Sequence, residues 1–333
     1  MNKEFEFQEK FVLQLKAVMP AHIAIAEELS ELLNLSSDSI YRRLRCQSFF
    51  TFDEVAIISK KYGISLDGFL NLDSLQVSFN FNPMYGENNN FEKYLLWFSD
   101  YLTELSRSEG THITYVCEDV PLFRHFKYNT LSAFKSFYWN KAVLNNEKLI
   151  GKKFHKDLVS DKIIELNKKT IEAYYKINSI EVWTEETLKS TLKQVEFFWE
   201  SDQFDSAEQA MIVINEIKQM LNDLKHECEN GYKDFERKQG KFKFYVSEVM
   251  IGNNCVLIDF GNIAGSRVFL SHNTFNSIST YNSAFVEETS QWMDNIKGKS
   301  ILISGSAEKQ RAIFFKKNAE MINSLEKLIN KGI

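Results

Sequence analysis

Between Leu33 and Ser37 the chain has only Asn34-Leu35-Ser36 in which to turn, and this short connection constrains the first quarter of the sequence. Upstream of it, Ile23, Ala26, Leu29 and Leu33 recur at helical spacing over about residues 21–33, which gives that helix one apolar face. Downstream, Ser36 suits the N-cap of a helix over about residues 37–45, and Asp38 stands in its first turn, where the helix dipole favours negative charge. Two helices joined by three or four residues make a helix-turn-helix. A preceding helix over about residues 4–16 carries Phe7, Phe11, Val12 and Leu15 on one side and is stopped by Pro20.

At about 100° per residue, Ile40 and Leu44 fall on the same side as Ser36, toward a core. Asp38, Tyr41, Arg42 and Arg45 fall opposite them. A polar, arginine-bearing outward face suits a recognition helix, because a guanidinium can fork onto a guanine edge or a phosphate. The candidate DNA-contacting set is Ser37, Asp38, Ser39, Tyr41, Arg42, Arg43 and Arg45. The competing reading is a solvated helix in which Asp38 and Arg42 form an i,i+4 ion pair worth only about 0.3–0.5 kcal/mol. The next segment, from Thr51 to Gly63, opens with a capping box of Thr51 and Glu54 and closes on glycine as a C′ residue. Ser65 then caps a short fifth helix through Leu70.

Over about residues 7–72 the chain resembles the helix-turn-helix family of phage repressors and Cro, the XRE type. The run from Leu29 to Arg43 follows that family's alternation of apolar, small, turn and polar positions, and Tyr62-Gly63-Ile64-Ser65-Leu66-Asp67 resembles its closing motif in the same register. The resemblance implies a five-helix fold and a transcriptional regulator with a large C-terminal effector region. Cys46 stands where the family usually has glycine, and the family's glutamines at the starts of the second and third helices are replaced by residues such as Ser37.

Charge tempers this reading. Residues 1–75 hold eight basic and eleven acidic side chains, and the whole chain carries −5, so no bulk attraction draws it to nucleic acid. Weak single-copy binding would be remedied by dimerisation.

Beyond residue 75, polar and apolar residues alternate from Leu75 to Phe81, and Asn82-Pro83 and Gly86–Asn90 read as linker. Phe91–Arg107 reads as helix, Thr111–Val116 as strand, and residues 130–235 as a long helical block without a fixed repeat. Phe242–Val249 and Cys255–Ile258 read as a hairpin turning at Gly252-Asn253-Asn254, followed by a strand at Arg267–Leu270, a helix over residues 275–296, a strand at Ile301–Ile303 and a last helix over residues 307–330. With 46 aromatic residues and three prolines in 333, long helices with bulky contacts are expected.

The four cysteines form no C-x-x-C pair, no histidine spacing suits a metal, and no phosphate or nucleophile loop is present; Gly261–Ser266 comes nearest. These readings predict a mainly α protein: a helix-turn-helix domain over 1–75, a linker over 76–90, a mostly helical effector or dimerisation region over 91–240, and a small α+β part over 241–333. The expected function is a sequence-specific DNA-binding transcription regulator. It is expected to be cytoplasmic and not an enzyme, with no cofactor, metal or membrane association. Its expected partners are a double-stranded DNA operator and a second copy of the chain, with a peptide or small molecule as candidate effector. The alternatives are a protein-interaction module and an enzyme with a DNA-tethering domain.

Overall fold

The computed structural model describes residues 5–19, 24–62, 64, 66, 77–84, 90–260 and 265–331. Its first elements are four helices, α1 (Glu6–Val18), α2 (Ile25–Leu33), α3 (Ser37–Leu44) and α4 (Phe52–Tyr62). They enclose a core of their own around Phe11, Leu15, Leu29, Ile40 and Ile58. Leu66 packs against that core; the rest of the expected fifth helix, and Gly63, lie outside the described residues.

The remaining elements build a nine-stranded mixed sheet, which overturns the expectation of a mainly α chain with a small α+β tail. In chain order they are β1 (Asn80–Phe81), α5 (Asn90–Leu105), β2 (His112–Cys117), α6 (Leu122–His125), α7 (Asn129–Tyr138), α8 (Asp161–Lys176), β3 (Asn178–Trp183), α9 (Thr187–Glu200), α10 (Ala207–Asn230), β4 (Tyr232–Asp234) and β5 (Gln239–Val246). There follow β6 (Cys255–Asp259), β7 (Arg267–His272), β8 (Asn276–Thr280), α11 (Ser283–Gly298), β9 (Ile301–Leu302) and α12 (Glu308–Lys331). The strand order is β1-β8-β7-β6-β2-β3-β5-β4, with β9 also on β5.

The centre is parallel: β3 lies between β2 and β5 and runs parallel to both. Helical crossovers join these strands, as parallel pairing requires. β3 was hidden inside the expected helical block because only Ile177 separates it from α8, and a short strand buried on both faces has no clean alternation to betray it. The expected hairpin is also corrected: β6 pairs with β2 and β7, and two strands stand between it and β5. Strands are about 4.8 Å apart, so three spacings are readily crossed by residues 247–254. A local Gly-Asn-Asn signal cannot register that crossing. Residues 276–280, expected to begin a helix, form β8. Within the stretch expected to be linker, Asn80–Phe81 pairs with β8 and Met84 joins the sheet's core.

One sheet face packs beneath α5 and the helices of the crossovers, and the other beneath α11. On the first face Glu181 is fully buried in β3. Arg124 of α6 donates to both its carboxylate oxygens at 2.8 and 2.9 Å and reaches Glu227 of α10 at 2.9 Å. The Tyr174 hydroxyl and the Trp183 indole N–H also donate to Glu181. Burying two carboxylates is tolerable only because each is paired and hydrogen-bonded. Among the described residues no helix is long and apolar enough to cross a membrane.

Candidate nucleic-acid interface

The turn between α2 and α3 has the geometry its residues favour. Asn34 ends α2 in the left-handed region, at φ 53°, a conformation asparagine tolerates better than most residues. The Ser30 hydroxyl donates to the Leu35 carbonyl at 2.5 Å, and the Ser36 hydroxyl caps α3 by accepting from the Ser39 N–H at 3.3 Å.

α3 buries Ile40 completely and half-buries Leu44. Ser37, Asp38, Tyr41, Arg42 and Arg45 are exposed, while Ser39 and Arg43 are half-buried. The expected outward face is therefore brought together, with the Arg45 guanidinium 5.7 Å from the Tyr41 ring centre. The Asp38–Arg42 ion pair is not formed, and among the described residues neither Arg42 nor Arg45 has a carboxylate partner. Arg43 is different. Its Nε and Nη2 donate to the two oxygens of Glu54 at 2.9 and 3.0 Å, and its Nη1 donates to the Ser39 hydroxyl at 2.5 Å. Arg43 is thus turned toward α4 and away from the exposed face.

Glu54 does two jobs. It accepts from the Thr51 N–H at 2.8 Å while the Glu54 N–H donates to the Thr51 hydroxyl at 3.2 Å. The expected capping box is therefore closed on both sides, and its carboxylate also grips α3 through Arg43.

Gln8 of α1 is the brace that sequence reasoning missed. Only 6% exposed, it donates to the carbonyls of Arg43 and Ser48 at 2.7 and 2.9 Å and accepts from the Phe50 N–H at 2.9 Å. Its one trace in the sequence is a glutamine beside the apolar stripe of α1, which reads as a surface residue.

Cys46, just past α3, has φ 55° and is half-buried. Burial, and then the charge of Glu9, hold its thiol above the ordinary range. Of the lysines near the headpiece surface, Lys61 is held by Glu28 at 2.5 Å and Lys10 by Glu6 at 2.7 Å. Lys61 and Tyr62 both donate to Glu28, which lowers that carboxyl's pKa. No family model, no curated protein and no solved structure matches the chain.

Proposed function

We propose that this chain is a sequence-specific DNA-binding regulator rather than an enzyme, that α3 is its recognition helix, and that it works as a homodimer on a double-stranded operator. The observation that carries the reading is the placement of Arg42 and Arg45 on one exposed face, neither paired with a carboxylate among the described residues, on a helix braced by Gln8 and Glu54. A rigid helix presenting unpaired guanidinium groups is suited to a major groove, where fixed geometry limits the entropy lost on contact. Tyr41, Ser37 and Asp38 complete the surface that would meet base edges. Arg43 serves the fold of the reader instead.

Selection of bound duplexes from a random pool by the full chain tests the reading. The expected outcome is an enriched, two-fold symmetric sequence that is lost in Arg42→Ala/Arg45→Ala. No enrichment above the starting pool would overturn it. A protein-docking headpiece is the second reading, favoured by Phe49 and Phe52, which are 51% and 79% exposed on the connection into α4.

A further inference from the structure

The sheet half made of β2, β6, β7 and β8 encloses a cavity beneath α5 that the DNA reading leaves without a role. Strand register arranges its wall in rows. Ser271 and Ser277 are directly opposed, and Asn254 adjoins them through the Ser271 N–H to Asn254 carbonyl bond. In the next row Tyr115, Val256 and Phe269 stand side by side, and beyond them Ile113 and Ile258. α5 covers these rows with aromatic rings, Trp97 and Tyr101 stacked at 5.6 Å. The wall is therefore polar at one end and apolar and aromatic along the rest.

The polar end has donors to spare. Asn254 is 6% exposed, and its Oδ1 already accepts from the N–H groups of Glu118 and Asp119 at 2.9 and 3.0 Å. That commitment fixes the amide's orientation and leaves its NH2 without a protein acceptor among the described residues. The hydroxyls of Ser271 and Ser277 are likewise unclaimed there. The amide nitrogen is not sealed from solvent, so a ligand oxygen would take the place of water there.

The void measures about 70 Å³, against the ~150 Å³ of an apolar cavity that takes up benzene whole. A single ring would therefore lie partly inside, with its polar group in the mouth. Glu118 and Asp119 adjoin Asn254 through their backbone N–H groups, and burial, then the neighbouring Asp119, raises the Glu118 carboxyl's pKa. An anionic head group would meet the same penalty.

We propose that this cavity binds a small neutral aromatic molecule whose carbonyl oxygen accepts hydrogen bonds from the Asn254 amide and the hydroxyls of Ser271 and Ser277. Stacked rings supply the walls such a molecule needs, and the row of donors reads its one acceptor. The site would give the regulator proposed above its effector class, and its chemistry needs no DNA.

The test is a fluorine NMR titration of the full chain with 4-fluorobenzamide, with 4-fluorotoluene and 4-fluorobenzoate as comparators and no DNA present. The amide is expected to bind roughly tenfold more tightly than either comparator, the ratio that 1.4 kcal/mol of hydrogen bonding gives. Asn254→Asp keeps both acceptor contacts to residues 118 and 119 while removing the amide donor, and should weaken the amide several-fold while leaving the toluene unchanged. Ser271→Ala/Ser277→Ala, at half-buried positions, is a second variant that should weaken the amide and leave the toluene unchanged. Three results would overturn the proposal: no binding of the amide, equal binding of all three probes, or unchanged amide affinity in both folded variants. Since DNA is absent, failure here is distinct from failure of the regulator reading.

Discussion

At the scale of single residues, Cys46 shows what a side chain costs in the wrong backbone region. With φ 55° it carries a Cβ where glycine carries none, a penalty of roughly 1–2 kcal/mol. Cys46→Gly should therefore raise the denaturation midpoint of residues 1–75, followed by circular dichroism; a lowered midpoint would mean that the thiol's packing outweighs the strain. Gln8 predicts the opposite sign. Gln8→Ala leaves two carbonyls and the buried Phe50 N–H without their partner, and a loss of about 2–3 kcal/mol in the same assay is expected. Lys135 makes a pH prediction. Buried in α7, it donates to Gln194 at 2.6 Å, and burial lowers its pKa from 10.5 to about 8. Between those values the unfolded chain holds the proton and the folded chain has released it, so this lysine makes stability rise with pH above about 8. Lys135→Met should remove that rise and be the more stable protein below pH 8, by about 3 kcal/mol at most. Identical pH profiles for the two proteins would refute this.

At the scale of elements, α3 depends on its neighbours for the surface it displays. Arg42→Ala or Arg45→Ala should each weaken operator binding by about 1–3 kcal/mol if the residue meets a base edge, or uniformly across sequences if it meets phosphate. Unchanged binding in both would remove α3 from the groove. Glu54→Gln frees Arg43, so it should weaken binding indirectly, through a less rigid helix. β3, α6 and α10 are tied by Arg124, and Arg124→Met strands Glu181 and Glu227 inside the core. A loss of about 3–5 kcal/mol, read as a lower urea midpoint of the full chain, is expected.

Legibility in the sequence also divides by element. The caps at Ser36 and Thr51 and the outward set on α3 were readable because capping and helical periodicity act over a few residues. The partner of Arg43 was not, because Glu54 is eleven positions away on another helix. β3 escaped for a related reason: its identity is fixed by β2 and β5, 66 and 63 positions distant in the pairs Val116↔Val182 and Ile180↔Lys243. Asn254, Ser271 and Ser277 become one row only through the sheet register, so no spacing in the sequence announces the cavity.

At the scale of the molecule, a headpiece of eight basic and eleven acidic residues holds too few cationic contacts for tight binding by one copy at physiological salt. Light scattering should report a dimer, and footprints should cover paired half-sites; a monomer on one unrepeated half-site would contradict the homodimer. The sheet adds a temporal consequence. β1 at residues 80–81 pairs with β8 at 278–279, with most of the chain between them. On the ribosome, which adds about 5–20 residues per second, the core of α1–α4 is complete before β2 has been made. β1 must then wait roughly ten seconds or more for its partner to emerge. A nascent chain would thus carry a finished four-helix core well before the edge strand that follows it finds its place, leaving that edge open to chaperones or to a neighbouring chain on the same message.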